Sequence, residues 1–175
     1  MIRVLIVDDH ALVRAGLTAV LGTAAGILVV GVCADGADVP DVAPRVRPDV
    51  VLMDLKMPGI CGATATRALL TGQPQVRVLV VSASTSPRAI AEAARAGAAG
   101  YLVKGGGTHE LVGAVRTVAA GGATWPGQYI DSQPSQVTPG HQPQVSTSST
   151  SDSRRLDQDA EALDSSTGAN DPSDN

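Results

Sequence analysis

A chain of 175 residues accommodates one ordinary domain and not comfortably two. Hydrophobic residues make up 43% and charged residues 17%, so a core can form. Aromatics are only 2%, with no Phe, and Val, Leu, Ile and Ala must fill it. The net charge of -4 argues against a nucleic-acid binder, and two cysteines, Cys33 and Cys61, make neither a disulfide framework nor a metal site.

The charge is unevenly spread. Residues 1–126 hold 11 Lys/Arg and 9 Asp/Glu, whereas residues 127–175 hold 2 and 8. A near-neutral domain is followed by an acidic stretch. The chain enters a strand pattern directly after Met1, without the basic start, apolar stretch and cleavage site of a signal peptide. No apolar run approaches the roughly 18 residues that span a bilayer. A cytoplasmic protein is expected.

In chain order, Ile2–Val7 reads as a buried strand ending at Asp8. His10 to Leu21 follows as a helix, with Leu12, Val13, Leu17, Val20 and Leu21 at helical spacing. Residues 27–33 are a second β-branched run, in which Cys33 reads as a small core residue. Residues 37–47 suggest a helix interrupted by Pro40, which suits a first turn, and by Pro44, which shortens or kinks it. A third strand, Asp49–Met53, ends at Asp54, and a loop marked by Pro58, Gly59 and Gly62 leads to a helix over 63–70. The fourth strand, Val76–Val81, gives way to the polar run Ser82–Ser86. Ser86 caps and Pro87 opens a helix to Ala96. The fifth strand, Ala99–Val103, ends at Lys104, and Thr108 is placed to cap a last helix through Ala120.

Five strands alternating with five helices, the strands as continuous apolar runs, predict an α/β fold with a doubly wound parallel sheet. Residues 1–122 form this domain. Residues 123–175, rich in Ser, Thr, Pro, Gln and Asp, read as an acidic, largely disordered tail, in which only residues 154–163 suggest a short, marginal helix.

Such sheets gather functional groups at the carboxyl ends of their strands. Here Asp8 and Asp9 follow strand one, Asp54 strand three, Ser82 strand four and Lys104 strand five. Three crowded carboxylates repel unless a cation joins them. Mg2+, a hard ion with oxygen ligands, suits them and leaves one aspartate free to attack phosphorus. Lys104 would add a point charge to the phosphoryl oxygens and Ser82 a hydrogen bond.

Each feature has a plainer reading by itself. Asp8-Asp9 in isolation is an acid pair facing a helix dipole, Asp54 a turn residue before Pro58, Ser82 a cap, Lys104 a solvated lysine and Tyr101 core packing. Four strand ends in the right order make the joint reading the better one. His10 reads as a helix-entry residue, and neither His109 nor His141 has partners for a metal.

The runs Val4-Leu5-Ile6-Val7-Asp8-Asp9-His10, Asp49 through Gly59 (DVVLMDLKMPG), Val80-Val81-Ser82-Ala83-Ser84 and Gly100-Tyr101-Leu102-Val103-Lys104 resemble the receiver domains of two-component response regulators over about residues 1–122. The resemblance leans toward the subfamily with a LuxR-type helix-turn-helix output domain. It implies a flavodoxin-like strand order 2-1-3-4-5. It implies that Asp9 binds Mg2+ directly, Asp8 directly or through water, and that the backbone carbonyl of Lys56 completes the protein ligands. Asp54 would accept a phosphoryl group from a sensor histidine kinase and touch the metal, while Ser82 and Lys104 hold the phosphoryl oxygens. Ser82 and Tyr101 would then switch the surface of helix four, strand five and helix five, a possible homodimer face. Lys56 and Ser84 flank the site and would tune the phosphate lifetime.

The chain departs from the family pattern in several places. Cys61 stands where many relatives have aspartate, Pro40 and Pro44 make helix two unusual, and Gly105-Gly106-Gly107 follows Lys104 with nothing to stiffen it. No helix-turn-helix pattern follows the receiver, so direct DNA binding is not supported. The expectation is a phosphoacceptor signalling domain, not an enzyme beyond its own phosphorylation and dephosphorylation, that acts through partner binding. One competing reading is a DNA-binding transcription regulator whose helix-turn-helix half is missing through truncation or frameshift. An aspartate-nucleophile phosphatase would want a second acid two residues after Asp54, where Lys56 stands. A Rossmann domain would want G-x-G-x-x-G after strand one.

Overall fold

In the computed structural model, which describes residues 1–127, the apolar runs become five strands of one sheet: β1 (Ile2–Val7), β2 (Ile27–Cys33), β3 (Val50–Met53), β4 (Arg77–Ser82) and β5 (Gly100–Val103). All neighbours are parallel and the order is β2-β1-β3-β4-β5, as expected. The crossovers are α1 (Ala11–Gly22), α2 (Val39–Val46), α3 (Gly62–Gly72), α4 (Pro87–Arg95) and α5 (Thr108–Ala119).

Successive strand residues point to opposite faces, and both faces are covered. Val4, Ile6, Val50, Leu52, Leu79 and Val81 pack with Leu21 of α1 and Val115 and Val118 of α5. Leu5, Val7, Val51, Met53 and Val78 pack with Val39 and Ala43 of α2 and Ala65 and Leu69 of α3. A third cluster joins Val80 and Tyr101 to Ile90 and Ala93 of α4. This two-sided burial is why the strands read as unbroken apolar runs. Burying each Leu, Ile or Val stabilises by about 1.5–3 kcal/mol, so the core is sufficient without Phe.

The β1–β2 register slips between Val4 and Leu5, where pairing passes from Val29 to Gly31 and leaves Val30 as the extra residue. Gly31 suits the slip, since a Cβ there would stand 3.2 Å from Leu5 Cδ1. Helix α2 is shorter than the 37–47 span expected. A 3-10 turn (Gly36–Asp38) takes its start, Pro40 lies in the first turn, and Pro44 withholds one hydrogen bond. It ends at Arg47, φ 44°. Arg3 then satisfies the freed carbonyls, with Nη2 donating to Val46 O at 2.7 Å and Nε to Arg47 O at 3.1 Å.

Ser86 caps α4 as expected, accepting from Ala89 N, with Pro87 first in the helix. Thr108 does not cap α5. It is the first helical residue, and Gly107 occupies the cap position without a side-chain bond. Beyond α5 the chain turns at Gly121 (φ 89°) and returns to β5, where Tyr101 N donates to Thr124 O at 2.7 Å. Within the segment read as a tail, Thr124 thus bridges to β5 and Trp125 packs on the cluster around Tyr101. Residues 128–175, including the short helix expected over 154–163 and His141, lie outside the described residues. Among the described residues no helix is long and apolar enough to cross a membrane.

Candidate functional site

The parallel sheet carries Asp8, Asp54, Ser82 and Lys104 to one edge because each lies at or just past its strand's carboxyl end. The ladder reaches one residue beyond the strands. Asp8 N donates to Cys33 O at 3.2 Å, Asp54 N to Val7 O at 2.8 Å and Lys104 N to Ser82 O at 2.8 Å. The backbone of each residue is thereby fixed before its side chain is considered.

Asp8 and Asp54 are 2% and 4% exposed, so their charges need partners. Lys104 reaches both, with Nζ 2.6 Å from Asp8 Oδ2 and 3.0 Å from Asp54 Oδ2. Desolvation pulls the Lys104 pKa down. Its hydrogen bonds to Asp8 and Asp54, together with their charges, outweigh that and leave it above its ordinary value. The buried acids therefore face a lysine held in its charged form.

Ligand atoms of Asp8, Asp9, His10 and Asp54 lie within 4.8 Å of one another. His10 is the helix-entry residue of α1, as read from the sequence. Its backbone N–H donates to Asp8 Oδ1 at 2.9 Å. Its Nδ1 stands 2.7 Å from Asp9 Oδ1, but outside hydrogen-bond geometry, and that oxygen remains buried without a donor. A short separation at a poor angle is not a hydrogen bond. An orphaned anionic oxygen beside two buried carboxylates fits a hard divalent cation. Imidazole suits softer metals, and His10 is largely exposed.

Ser82 is fully buried, its Oγ accepting from Ser84 N at 3.3 Å. Tyr101 is also buried, and its hydroxyl donates to Ser84 O at 2.7 Å. Its ring faces inward here. Lys56 has an exposed side chain in the β3–α3 loop. That loop is pinned by Gly62, whose N donates to Leu55 O and whose α-carbon packs so closely on the Asp54 carbonyl oxygen that a Cβ would collide with it.

Sequence reasoning missed Arg14. One turn into α1, its Nη1 donates to Asp8 O at 2.6 Å and Asp9 O at 2.9 Å and so clamps the acid pair's backbone. The one signal in the sequence that could have pointed to it is a cation five and six residues after an acid pair, on a helix that starts between them. Cys61 is the N-cap residue of α3. Its thiol lies 3.2 Å from Thr64 Oγ1, which with the backbone N–H groups of Thr64 and Ala63 in the first turn of α3 pulls its pKa below the ordinary value.

Four carboxyl-end groups around a parallel sheet of order 2-1-3-4-5 define the receiver class of signalling domain. The sequence model of the response regulator receiver domain matches residues 4–116, and the chain belongs to that family. It is similar to the response regulator GacA of Pseudomonas aeruginosa, 50% identical over 121 residues that cover 69% of this chain and 56% of the relative. It is also similar to the response regulator UvrY of Escherichia coli, 44% identical over 121 residues with the same coverage, 69% and 56%. The chain thus spans little more than half the length of these relatives. Among solved structures, a LuxR-family two-component response regulator from Aurantimonas superposes with a TM-score of 0.71 at 30% identity, over 75% of this chain and 94% of that one. The signal receiver domain of the putative response regulator NarL from Mycobacterium tuberculosis gives 0.66 at 38% identity, over 69% and 97%.

Proposed function

We propose that this receiver domain accepts a phosphoryl group on Asp54 from a sensor histidine kinase and signals by phosphorylation-dependent partner binding. The observation that carries the reading is the triangle of Lys104, Asp8 and Asp54, set beside the donorless Asp9 Oδ1. Asp8, Asp9 and Asp54, with the Lys56 backbone carbonyl, would hold Mg2+. When bound, Mg2+ neutralises carboxylate charge and holds a phosphoryl oxygen.

The protein's own groups do the rest. An Asp54 carboxylate oxygen attacks phosphorus, a P–O bond forms as the donor histidine's P–N bond breaks, and the bonding pair and a proton end on the departing imidazole. Lys104 turns from Asp54 to the phosphoryl oxygens, and Ser82 Oγ donates to another. Both stabilise charge that spreads over those oxygens in transfer. Hydrolysis of the acyl phosphate returns the domain to rest, with Lys56 and Ser84 at the pocket's rim setting its rate. Ser82 and Tyr101 carry the change toward α4, β5 and α5, a face suited to a second copy. Self-catalysed phosphorylation and dephosphorylation are its only chemistry, and the cytoplasm is its compartment.

The test is mass spectrometry after incubation with Mg2+ and acetyl phosphate. The parent protein gains one phosphoryl group and Asp54→Ala does not. A folded parent that gains nothing overturns the reading.

A further inference from the structure

The β3–α3 loop carries the Lys56 carbonyl, and few bonds hold it. Between Lys56 and Cys61 the one backbone N–H with a hydrogen bond among the described residues is that of Ile60. Its acceptor is Asp35 Oδ1, 25 residues earlier in the chain, at 3.4 Å. Asp35 stands just past β2 and is itself fixed, since the same oxygen accepts from Ala37 N at 2.9 Å and caps the 3-10 turn. Its other carboxylate oxygen lies over Gly59, so closely that a Cβ there would collide with it. A hydrogen bond of 3.4 Å is long, and the packing on Gly59 is the tighter constraint of the two.

Gly36, next in the chain, is buried against the same loop. A Cβ on Gly36 would stand 2.8 Å from Ile60 O and 3.3 Å from Met57 Cε. Asp35 and Gly36 thus meet the loop at Met57, Gly59 and Ile60. Leu55 and Met57, on either side of Lys56, are buried. Gly62 fixes the two ends of the loop, through Leu55 O and Asp54 O, and Asp35 fixes its middle. Asp35 is not among the carboxylates that gather with Asp54.

We propose that Asp35 is a positioning residue for the phosphoacceptor site. Its carboxylate holds Gly59 and Ile60, and through them the path of the loop that brings the Lys56 carbonyl to the cation. This rests on the phosphoacceptor reading above, in which that carbonyl is a ligand of Mg2+. A backbone carbonyl has no side chain to reach with, so it meets an ion only where the loop is placed for it. Mg2+ demands near-octahedral geometry at about 2.0–2.1 Å, and a loop free to shift by a fraction of that loses the contact. Groups that hold a metal ligand in place typically contribute about 10–100-fold in metal affinity. The long bond to Ile60 puts Asp35 at the lower end.

The test is titration calorimetry of the full chain with Mg2+ alone, run beside urea denaturation without Mg2+. Asp35→Ala should weaken Mg2+ binding by about tenfold. It should raise the Mg2+ concentration for half-maximal phosphorylation by acetyl phosphate by the same factor, with full phosphorylation recovered at saturating Mg2+. Asp35→Asn keeps an oxygen to accept from Ala37 and Ile60 and should bind Mg2+ nearly as the parent does. Gly59→Ala displaces the carboxylate and should weaken binding in the parent while adding little to Asp35→Ala. A lower urea midpoint in Asp35→Ala with parental Mg2+ affinity makes Asp35 a structural residue and overturns the proposal. Equal losses in Asp35→Asn and Asp35→Ala assign the effect to charge and overturn it as well. If Asp35→Ala does not fold, Gly59→Ala decides, and parental Mg2+ affinity there overturns the proposal. A parent that is phosphorylated beside an indifferent Asp35→Ala loses this inference alone. A folded parent that neither binds Mg2+ nor gains a phosphoryl group overturns the phosphoacceptor reading and this inference with it.

Discussion

Gly62 presses its α-carbon against the carbonyl oxygen of Asp54, and no side chain fits between them. The loop that returns from β3 to α3 thus fixes by backbone contact the residue proposed as the phosphoacceptor. Gly62→Ala forces that loop outward. Overpacking of this kind costs about 1–3 kcal/mol. The urea midpoint should fall, and phosphorylation by acetyl phosphate should drop more steeply than stability does.

Lys104→Met removes the one cation that meets both Asp8 and Asp54 among the described residues. Breaking a buried pair from one side costs about 3–5 kcal/mol. Lys104 keeps about a fifth of its side chain in solvent, so the lower end applies. Because Mg2+ offers the stranded acids another counter-charge, it should raise the variant's melting temperature more than the parent's. The pKa of Lys104 lies above its ordinary 10.5. Its stabilising contribution is therefore whole below that value and fades only as pH rises through the higher folded one. Denaturation curves of the parent should show no loss from this group between pH 6 and 9, ordinary working values well below the 10.5 reference.

Arg14→Ala takes two charge-assisted hydrogen bonds from the carbonyls of Asp8 and Asp9. Each is worth about 1.5–3 kcal/mol at most. The acid pair loses its backbone clamp while its carboxylates stay. Mg2+ affinity, followed by titration calorimetry, should weaken, and neutral Arg14→Gln should recover little of it.

The two thiols should react in a fixed order. Cys33 is buried and its pKa is pushed up to about 11, first by desolvation and then by Asp38. Cys61 is exposed, with its pKa lowered chiefly by the hydrogen bond to Thr64. The thiolate is the reactive form. At neutral pH iodoacetamide should alkylate Cys61 and leave Cys33 untouched, and Thr64→Val should slow the Cys61 reaction. Peptide mapping distinguishes the two.

The sheet and the strand-end residues were legible because parallel strands buried on both faces leave continuous apolar runs, and four of the five runs here stop at a polar residue. Asp8, Asp54, Ser82 and Lys104 needed only that punctuation and a strand order. Arg14 was not legible in the same way, since its contacts go to backbone oxygens that carry no side-chain signature. The contact of Thr124 with β5 was hidden by composition. Ala123 and Thr124 read as the start of the tail, and only the backbone bonds of Tyr101 and the bare α-carbon of Gly100 reveal what Thr124 lies against. The α5 cap was misplaced by one residue because Thr108, a good cap by type, has Gly107 before it to make the turn. Pro44 did not shorten α2, which runs through it to Val46; the 3-10 turn at Gly36–Asp38 and the left-handed Arg47 set its ends.

The contact of Thr124 on β5 also bears on how these sheets can meet. Thr124 occupies the first half of the β5 edge, and β5 has only four residues. The opposite edge, β2, is seven residues long, uncharged, and leaves Val32 half exposed. Exposed apolar edge strands invite pairing with another chain. With part of the β5 border occupied and the β2 border open, strand-to-strand contact is favoured between two β2 borders, and the head-to-tail pairing that a polymer needs meets Thr124 at one of its two borders.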